Sequence, residues 1–174
     1  MRSRRTASLV AALALALATA SAVSAAPNNR QVILFDNCDP ASFNAVLGEG
    51  ACARTGGGLS FDAFIDQLLT LGAAPSWRFS PYVRLAEGGT VTAVNRGGEA
   101  HTFTEVAEFG GGCVDELNDL VGLEAVPECA NAGQLFGTTL VPPGGRLTTE
   151  PLDSGTHKFM CIIHPWQRTT VDVK

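Results

Sequence analysis

The sequence lacks an apolar run long enough to cross a membrane, and it is poor in basic residues, histidine and methionine. Its main apolar run, residues 9–18, is shorter than the roughly 20 residues that a spanning helix needs. Twelve Lys and Arg stand against seventeen Asp and Glu, which gives a net charge of −5. This balance argues against nucleic acid or an anionic membrane as a partner. With three histidines and two methionines, the chain has no His-rich or Met-rich site.

Residues 1–25 have the layout of a secretory signal peptide: a basic start, an apolar middle and small residues before the expected cut. The prediction is therefore an exported chain, periplasmic or secreted, with no membrane span after cleavage. Loss of the three N-terminal arginines would bring the net charge to −8. Residues 26–174 are enough for one domain with a real core, and no internal repeat suggests a second domain.

The five cysteines are an odd number, which is informative in an exported chain. Four of them allow three pairings, and sequence alone does not select among these. We favour the two local pairs, Cys38 with Cys52 and Cys113 with Cys129. Each would close a ring of roughly 15 residues and stabilise the fold by about 3 kcal/mol. Cys161 is then left alone, and a lone thiol in an oxidising compartment needs protection or a function.

Short strands dominate the pattern from Trp77 onward. Segments such as "GTVTAVNRG" and "GTHKFMCIIH" alternate or run apolar between Gly and Pro residues, which is typical of an all-β sandwich or barrel. Residues 107–137 interrupt this rhythm and are predicted to be an insertion of loops and a helical turn, pinned by Cys113 and Cys129.

Residues 31–80 are predicted to be an N-terminal elaboration. They open with a strand in "QVILF" and contain "SFDAFIDQLLTLG", whose apolar residues recur at helical spacing. Ser60 is a suitable cap for this short helix, and Gly72 is suited to end it.

The residues that suggest chemistry lie at the ends of two predicted strands. Cys161 precedes His164 by three residues, and His101 follows a Gly-Gly turn in "VNRGGEAHTFTEV". A thiolate and two imidazoles from two loops suit a trigonal copper site with a weak axial ligand, which Gln167 could provide. Two other interpretations stay open at this point: a buried structural thiol and a tetrahedral zinc site.

These residues resemble those of the cupredoxins, the family of small blue-copper proteins that includes plastocyanin and azurin. The match covers roughly residues 82–174, and its most specific piece is "CIIHPWQRTTVDV", which looks like the Cys-x-x-His-Pro-x-Met loop of many bacterial members. Gln167 stands where those members carry methionine, as in stellacyanin-like proteins. The resemblance implies a cupredoxin-like Greek-key β-sandwich with one copper per chain. An axial amide should lower the reduction potential relative to methionine.

Further roles are expected for neighbours of the ligands. The hydroxyl of Thr102, next to the first histidine, could hydrogen-bond across to the ligand loop. Pro165 and Trp166 could form an apolar patch around an exposed edge of His164, where a redox partner protein, unidentified from the sequence, would dock.

The remaining histidine, His157, is expected to be a packed or rim residue. It precedes Cys161 by four residues, so in a strand it would lie about 13 Å away. Multicopper oxidases and copper nitrite reductases, which share the cupredoxin fold, need several further histidines, so the resemblance implies no enzyme of those kinds. It implies an exported type 1 copper protein, a one-electron carrier. The alternatives are a copper storage or delivery protein, and a metal-free or zinc-binding cupredoxin-fold interaction module.

Overall fold

The computed structural model describes residues 28–174, so the predicted signal peptide lies outside the described part of the chain. Ten strands and four helices follow in chain order: β1 (Asn29–Phe35), α1 (Pro40–Leu47), α2 (Phe61–Leu71), β2 (Arg78–Phe79), β3 (Tyr82–Leu85), β4 (Thr90–Asn95), β5 (His101–Thr102), β6 (Thr104–Val106), α3 (Asp115–Val121), α4 (Ala132–Thr139), β7 (Leu140–Val141), β8 (Arg146–Thr148), β9 (Gly155–Met160) and β10 (Arg168–Val173). A 3-10 helix, Pro127–Asn131, precedes α4.

Two four-stranded sheets form a β-sandwich. Their strand orders are β2-β1-β4-β8 and β3-β10-β9-β6, and β5 pairs with β7 in a separate two-stranded ladder. β1 runs parallel to β4, and β3 runs parallel to β10, whereas the other pairs are antiparallel. The predicted β-sandwich is confirmed.

The main core lies between the two sheets because alternate residues of their strands point inward. On β10, for example, Thr169, Val171 and Val173 are buried while the residues between them are half-buried. The inward side chains of both sheets form one apolar cluster, which includes Leu34, Val91, Val83 and Phe159.

The N-terminal part is only partly an elaboration of the sandwich. Contrary to the expectation for residues 31–80, β1 and β2 belong to the first sheet, and only the two helices between them lie outside it. Helix α2 has the predicted ends: the Ser60 hydroxyl accepts from the amide of Ala63, and Gly72 has a φ of +67°.

Helix α1 was not predicted, although its sequence carries a start signal. The Asp39 carboxylate accepts from the amide of Ser42, and Pro40 occupies the first turn. Both helices pack on a second apolar cluster, in which the rings of Phe43 and Trp77 stack with centroids 5.6 Å apart. Within residues 28–174, no helix has the length and apolar composition that crossing a membrane takes.

The insertion predicted at residues 107–137 contains α3, the 3-10 helix and most of α4, which continues to Thr139, and this is more helix than the single turn expected. Disulfides join Cys113 to Cys129 and Cys38 to Cys52, which is the pairing that we favoured. Cys161 is a free thiol and is fully buried.

Candidate metal centre

The loop between β9 and β10 holds Cys161, His164 and Gln167. Two backbone hydrogen bonds close it: the amide of Gln167 donates to the carbonyl of His164 at 2.9 Å, and the amide of Cys161 donates to the carbonyl of Gln167 at 3.0 Å. The short sequence spacing and these bonds bring the side chains of Cys161 and His164 together, with Nδ1 of His164 3.7 Å from the sulfur.

His101 reaches the same point from β5. Its Nδ1 lies 4.0 Å from the sulfur of Cys161, and Nδ1 of His164 lies 3.7 Å from that sulfur. The three ligand-type atoms lie within 4.8 Å of one another. All three residues are buried, with His164 the most exposed at 3%. The structure thus brings together the thiol and both imidazoles that the sequence singled out.

Asp36, just after β1, orients His101 and was missed in the sequence. Its Oδ2 lies 3.0 Å from Nε2 of His101, so the imidazole presents Nδ1 to Cys161. The carboxylate also accepts hydrogen bonds from three backbone amides, those of Cys38, Gly98 and Glu99. Burial opposes the charged form of Asp36, but His101 and the amides of Glu99 and Gly98 lower its pKa below the usual value.

The Gly-Gly turn before His101 is required by this close packing. A Cβ at Gly97 would lie 1.8 Å from Oδ2 of Asp36, and a Cβ at Gly98 would lie 2.7 Å from the sulfur of Cys38. The turn therefore lets the backbone approach the carboxylate closely enough to donate to it.

A second buried carboxylate, Glu99, lies beside His164. Its Oε2 is 3.7 Å from Nε2 of His164 and accepts a hydrogen bond from Nε1 of Trp77. Burial raises the pKa of Glu99, and the neighbouring His164 and Trp77 counteract part of that effect. Each imidazole of the cluster thus has a carboxylate on its far side. Only the Asp36 carboxylate is within hydrogen-bond distance, and such a bond fixes the ring orientation of a metal-binding histidine.

Thr102 connects the two loops, as its position next to His101 suggested. Its backbone amide donates to the sulfur of Cys161 at 3.3 Å. Its hydroxyl oxygen accepts from the amide of Ile162 at 2.8 Å. Both bonds fix the position of the thiol relative to the strand that carries His101.

The Gln167 side chain is fully buried, and only one of its two polar atoms has a hydrogen-bond partner in the described part of the chain. Its Nε2 donates to the carbonyl of Phe35 at 3.1 Å, whereas its Oε1 is buried without a hydrogen-bond partner in the described part of the chain. An unsatisfied buried acceptor costs roughly 1–3 kcal/mol. A metal ion bound by the neighbouring thiolate and imidazoles would give such an oxygen a partner, so the donor set fits a copper ion.

The electrostatics of the cluster favour a thiolate. Burial raises the pKa of Cys161, but hydrogen bonds with His101 and His164 outweigh it and hold that pKa well below the usual range. Burial likewise lowers the pKa of His101, yet Asp36 and Cys161 raise it to about 9. The thiolate is the form of cysteine that binds metals.

The surface beside His164 differs from the expected docking patch. Pro165 is buried and Trp166 is half-buried, with its ring 6.0 Å from that of Phe64 on α2 and 5.6 Å from that of His164. Helices α1, α2 and α3 pack over this end of the sandwich. The imidazole edge is thus covered by parts of the chain that lie far away in sequence.

His157 lies outside the cluster, as expected. Its Nδ1 is 2.6 Å from Oε1 of Glu105, and its Nε2 contacts the carbonyl of Asp153 at 2.9 Å. It therefore links strands β9 and β6 through its contact with Glu105.

No protein-family model matches the chain, and no curated protein matches it either. Among solved structures it is similar to a purple cupredoxin from Nitrosopumilus maritimus, at 18% identity over 83% of this chain and 99% of that chain, with a TM-score of 0.44. It is similar to an oxidised plastocyanin from Dryopteris crassirhizoma at 13% identity over 83% and 99% of the two chains, with a TM-score of 0.40. A mutant of amicyanin with Cu(I) matches at 19% identity over 56% and 73% of the chains, with a TM-score of 0.35.

Proposed function

We propose that this chain is an exported type 1 copper protein that carries one electron at a time. His101, Cys161 and His164 would bind one copper, with Oε1 of Gln167 as a weak axial ligand. The observation that carries the proposal is the buried, unpaired thiol with an imidazole Nδ1 at 3.7 Å and another at 4.0 Å.

The donor set favours copper over zinc. Structural zinc sites use four strong ligands in a tetrahedron, whereas one thiolate, two imidazoles and a weak fourth donor are typical of blue copper. The fourth donor here is a neutral amide oxygen that lacks another partner. Zinc bound by the same residues is the second candidate, and it would be colourless.

The residues around the ligands hold them in place. Asp36 fixes the tautomer of His101, and Thr102 fixes the sulfur of Cys161. Bound copper would supply one-electron chemistry by alternating between its cuprous and cupric forms. Because an amide oxygen is harder than a thioether, Gln167 would favour the cupric form and a low reduction potential.

Electrons would pass to a partner protein through the residues that cover His164. Because His164 is buried, the half-exposed Trp166, whose ring lies 5.6 Å from that imidazole, is the nearer contact for a redox partner. We propose no catalytic role, and residues 28–174 contain no second group of three metal-ligating side chains.

Export is part of the proposal. Two disulfides suit an oxidising compartment, periplasmic or extracellular. A role in copper storage or delivery is less well supported because its ligands would have to be accessible, and here all three are buried. A metal-free interaction module would leave the Gln167 oxygen without a partner.

Voltammetry of the copper-loaded protein tests the carrier role. We expect a reversible one-electron couple that persists over repeated cycles, with no copper released on reduction. A zinc-loaded sample is the control and should give no couple. Loss of copper on reduction would contradict electron carriage and favour delivery, and failure to bind copper with Cys161 reduced would favour the interaction module.

A further inference from the structure

A cavity of about 370 Å³ lies between the helices that cover the candidate metal centre. Its walls come from α1, α2 and α3, and His164 and Glu99 lie at its inner end. Pockets that bind small organic molecules usually have volumes of roughly 300–1,000 Å³. The two parts of the chain that lie outside the sandwich, the N-terminal helices and the insertion, therefore together build a space of ligand size.

The walls of this cavity are apolar and partly aromatic. Phe61 contributes a half-buried ring, and the buried rings of Phe43 and Phe64 support it from behind, with centroids 5.2 Å and 6.1 Å from that of Phe61. Leu117 closes the side formed by α3. Such walls favour a flat aromatic body through edge and face contacts.

One buried polar group in the lining, the Glu99 carboxylate, sets the orientation that a bound molecule would take. Both contacts of the Glu99 carboxylate, to Trp77 and to His164, run through Oε2, which leaves Oε1 for another donor. The Glu99 side chain is only 10% exposed, so a donor that reaches it does so inside the cavity. Glu116, an exposed residue, adds a second carboxylate to the lining.

We propose that this cavity binds a small aromatic molecule that carries one O–H or N–H donor, with the donor on Glu99 and the ring against Phe61 and Leu117. Mostly apolar walls with one or two convergent polar groups are the usual composition of a small-molecule site. A bound molecule would lie directly against His164. The inference does not depend on copper, since none of the walls is a ligand except His164 at the inner end.

The acidic lining suits both kinds of donor in this class. A neutral phenol would hydrogen-bond to the carboxylate, while an aromatic amine would add a charge-assisted bond and a cation next to aromatic rings. Phenol and benzylamine are therefore the two probes, and toluene, which has the ring without the donor, is the reference.

The experiment is a titration of the reduced, ¹⁵N-labelled full chain, without added copper, followed by amide chemical shifts. We expect phenol or benzylamine to shift the amide resonances of α2 and α3. Toluene should bind at least about tenfold more weakly. Leu117→Trp should fill the cavity and abolish the shifts. Leu69→Trp is the matched control, because Leu69 is 63% exposed on α2, and it should bind the probe like the unaltered protein.

Glu99→Gln provides a second test should Leu117→Trp fail to fold. This variant should weaken binding of the donor-bearing probe by about tenfold. Equal binding of toluene and the donor probes would overturn the proposal, as would unchanged binding by Glu99→Gln or by folded Leu117→Trp. Absence of shifts at millimolar probe would also overturn it. Shifts of the α2 and α3 amides with protein concentration alone would identify a second copy of the chain as the occupant instead.

Discussion

Asp36 and His101 are joined by a fully buried hydrogen bond, with Oδ2 of the carboxylate 3.0 Å from Nε2 of the ring. The bond fixes which ring nitrogen faces the sulfur of Cys161. Three backbone amides hold the carboxylate in turn, and one of them belongs to the Gly-Gly turn that leads into His101. The orientation of a candidate ligand is therefore set by a residue 65 positions away in sequence.

Asp36→Asn should weaken copper binding by about 10–100-fold, the usual cost of losing the partner of a metal-binding histidine. The amide lacks the charge and one of the acceptors that hold His101 and the turn. The affinity is measured by competition with a chelator of known strength, together with the electron paramagnetic resonance spectrum. Asp119→Asn, at an exposed position of α3, is the control, and equal affinities in the two variants would rule out the positioning role of Asp36.

Gln167→Met should raise the reduction potential. A thioether favours the cuprous ion, and each tenfold gain of the cuprous over the cupric form corresponds to about 59 mV. The potential is measured by voltammetry, with Gln134→Met on the exposed face of α4 as the control. A potential that does not change, or falls, would mean that Gln167 is not an axial ligand.

Gly112→Ala should destabilise the protein by roughly 1–3 kcal/mol, as overpacking typically does. A Cβ there would lie 2.3 Å from the carbonyl oxygen of Ile162, the residue after Cys161, so the insertion would be pushed off the ligand loop. The free energy of unfolding is measured in urea. Gly133→Ala on α4, whose Cβ would meet nothing within 4 Å, is the matched control. Equal stabilities of the two variants would show that the insertion can shift without cost.

The pair His157 and Glu105 should contribute pH-dependent stability. Burial opposes the charged imidazole, but hydrogen bonds to Glu105 and to the Asp153 carbonyl raise the pKa of His157 above its usual 6.5. The contribution is therefore complete below pH 6.5 and is lost as the pH rises through the raised pKa. For this partly exposed pair we expect about 0.2–1 kcal/mol.

Unfolding free energies of the unaltered protein and of His157→Gln, measured across that pH range, give the contribution as their difference. Glu105→Gln should remove most of the pH dependence of that difference. A difference that grows with rising pH would have the wrong sign for this pair.

The His-Cys-His cluster could be predicted from the sequence because two of its members, Cys161 and His164, lie in one short segment. Cys161, His164 and Gln167 are held by a local turn, and His101 follows a recognisable strand and Gly-Gly turn. Asp36 was not predicted because its role depends on β1 lying next to β4, a pairing of residues about sixty positions apart.

The packing of helices over His164 could not be predicted from the sequence for the same reason. It depends on how α1 and α2 pack against α3 from the insertion, and these contacts join segments that neither share a pattern nor adjoin in sequence. Helix α1 itself could have been found from Asp39 and Pro40. Its position over the candidate metal centre could not be predicted, because no local sequence pattern specifies which apolar faces pack together.

The central claim is that Cys161 binds copper as a thiolate, and a titration of the reduced protein with cupric ion, followed by visible absorption, tests it most directly. The account predicts an intense thiolate-to-copper band that saturates at one copper per chain and is absent from Cys161→Ser. If no such band forms while Cys161 is shown to be a free thiol, or if the variant gives the same band, the proposed copper site is wrong.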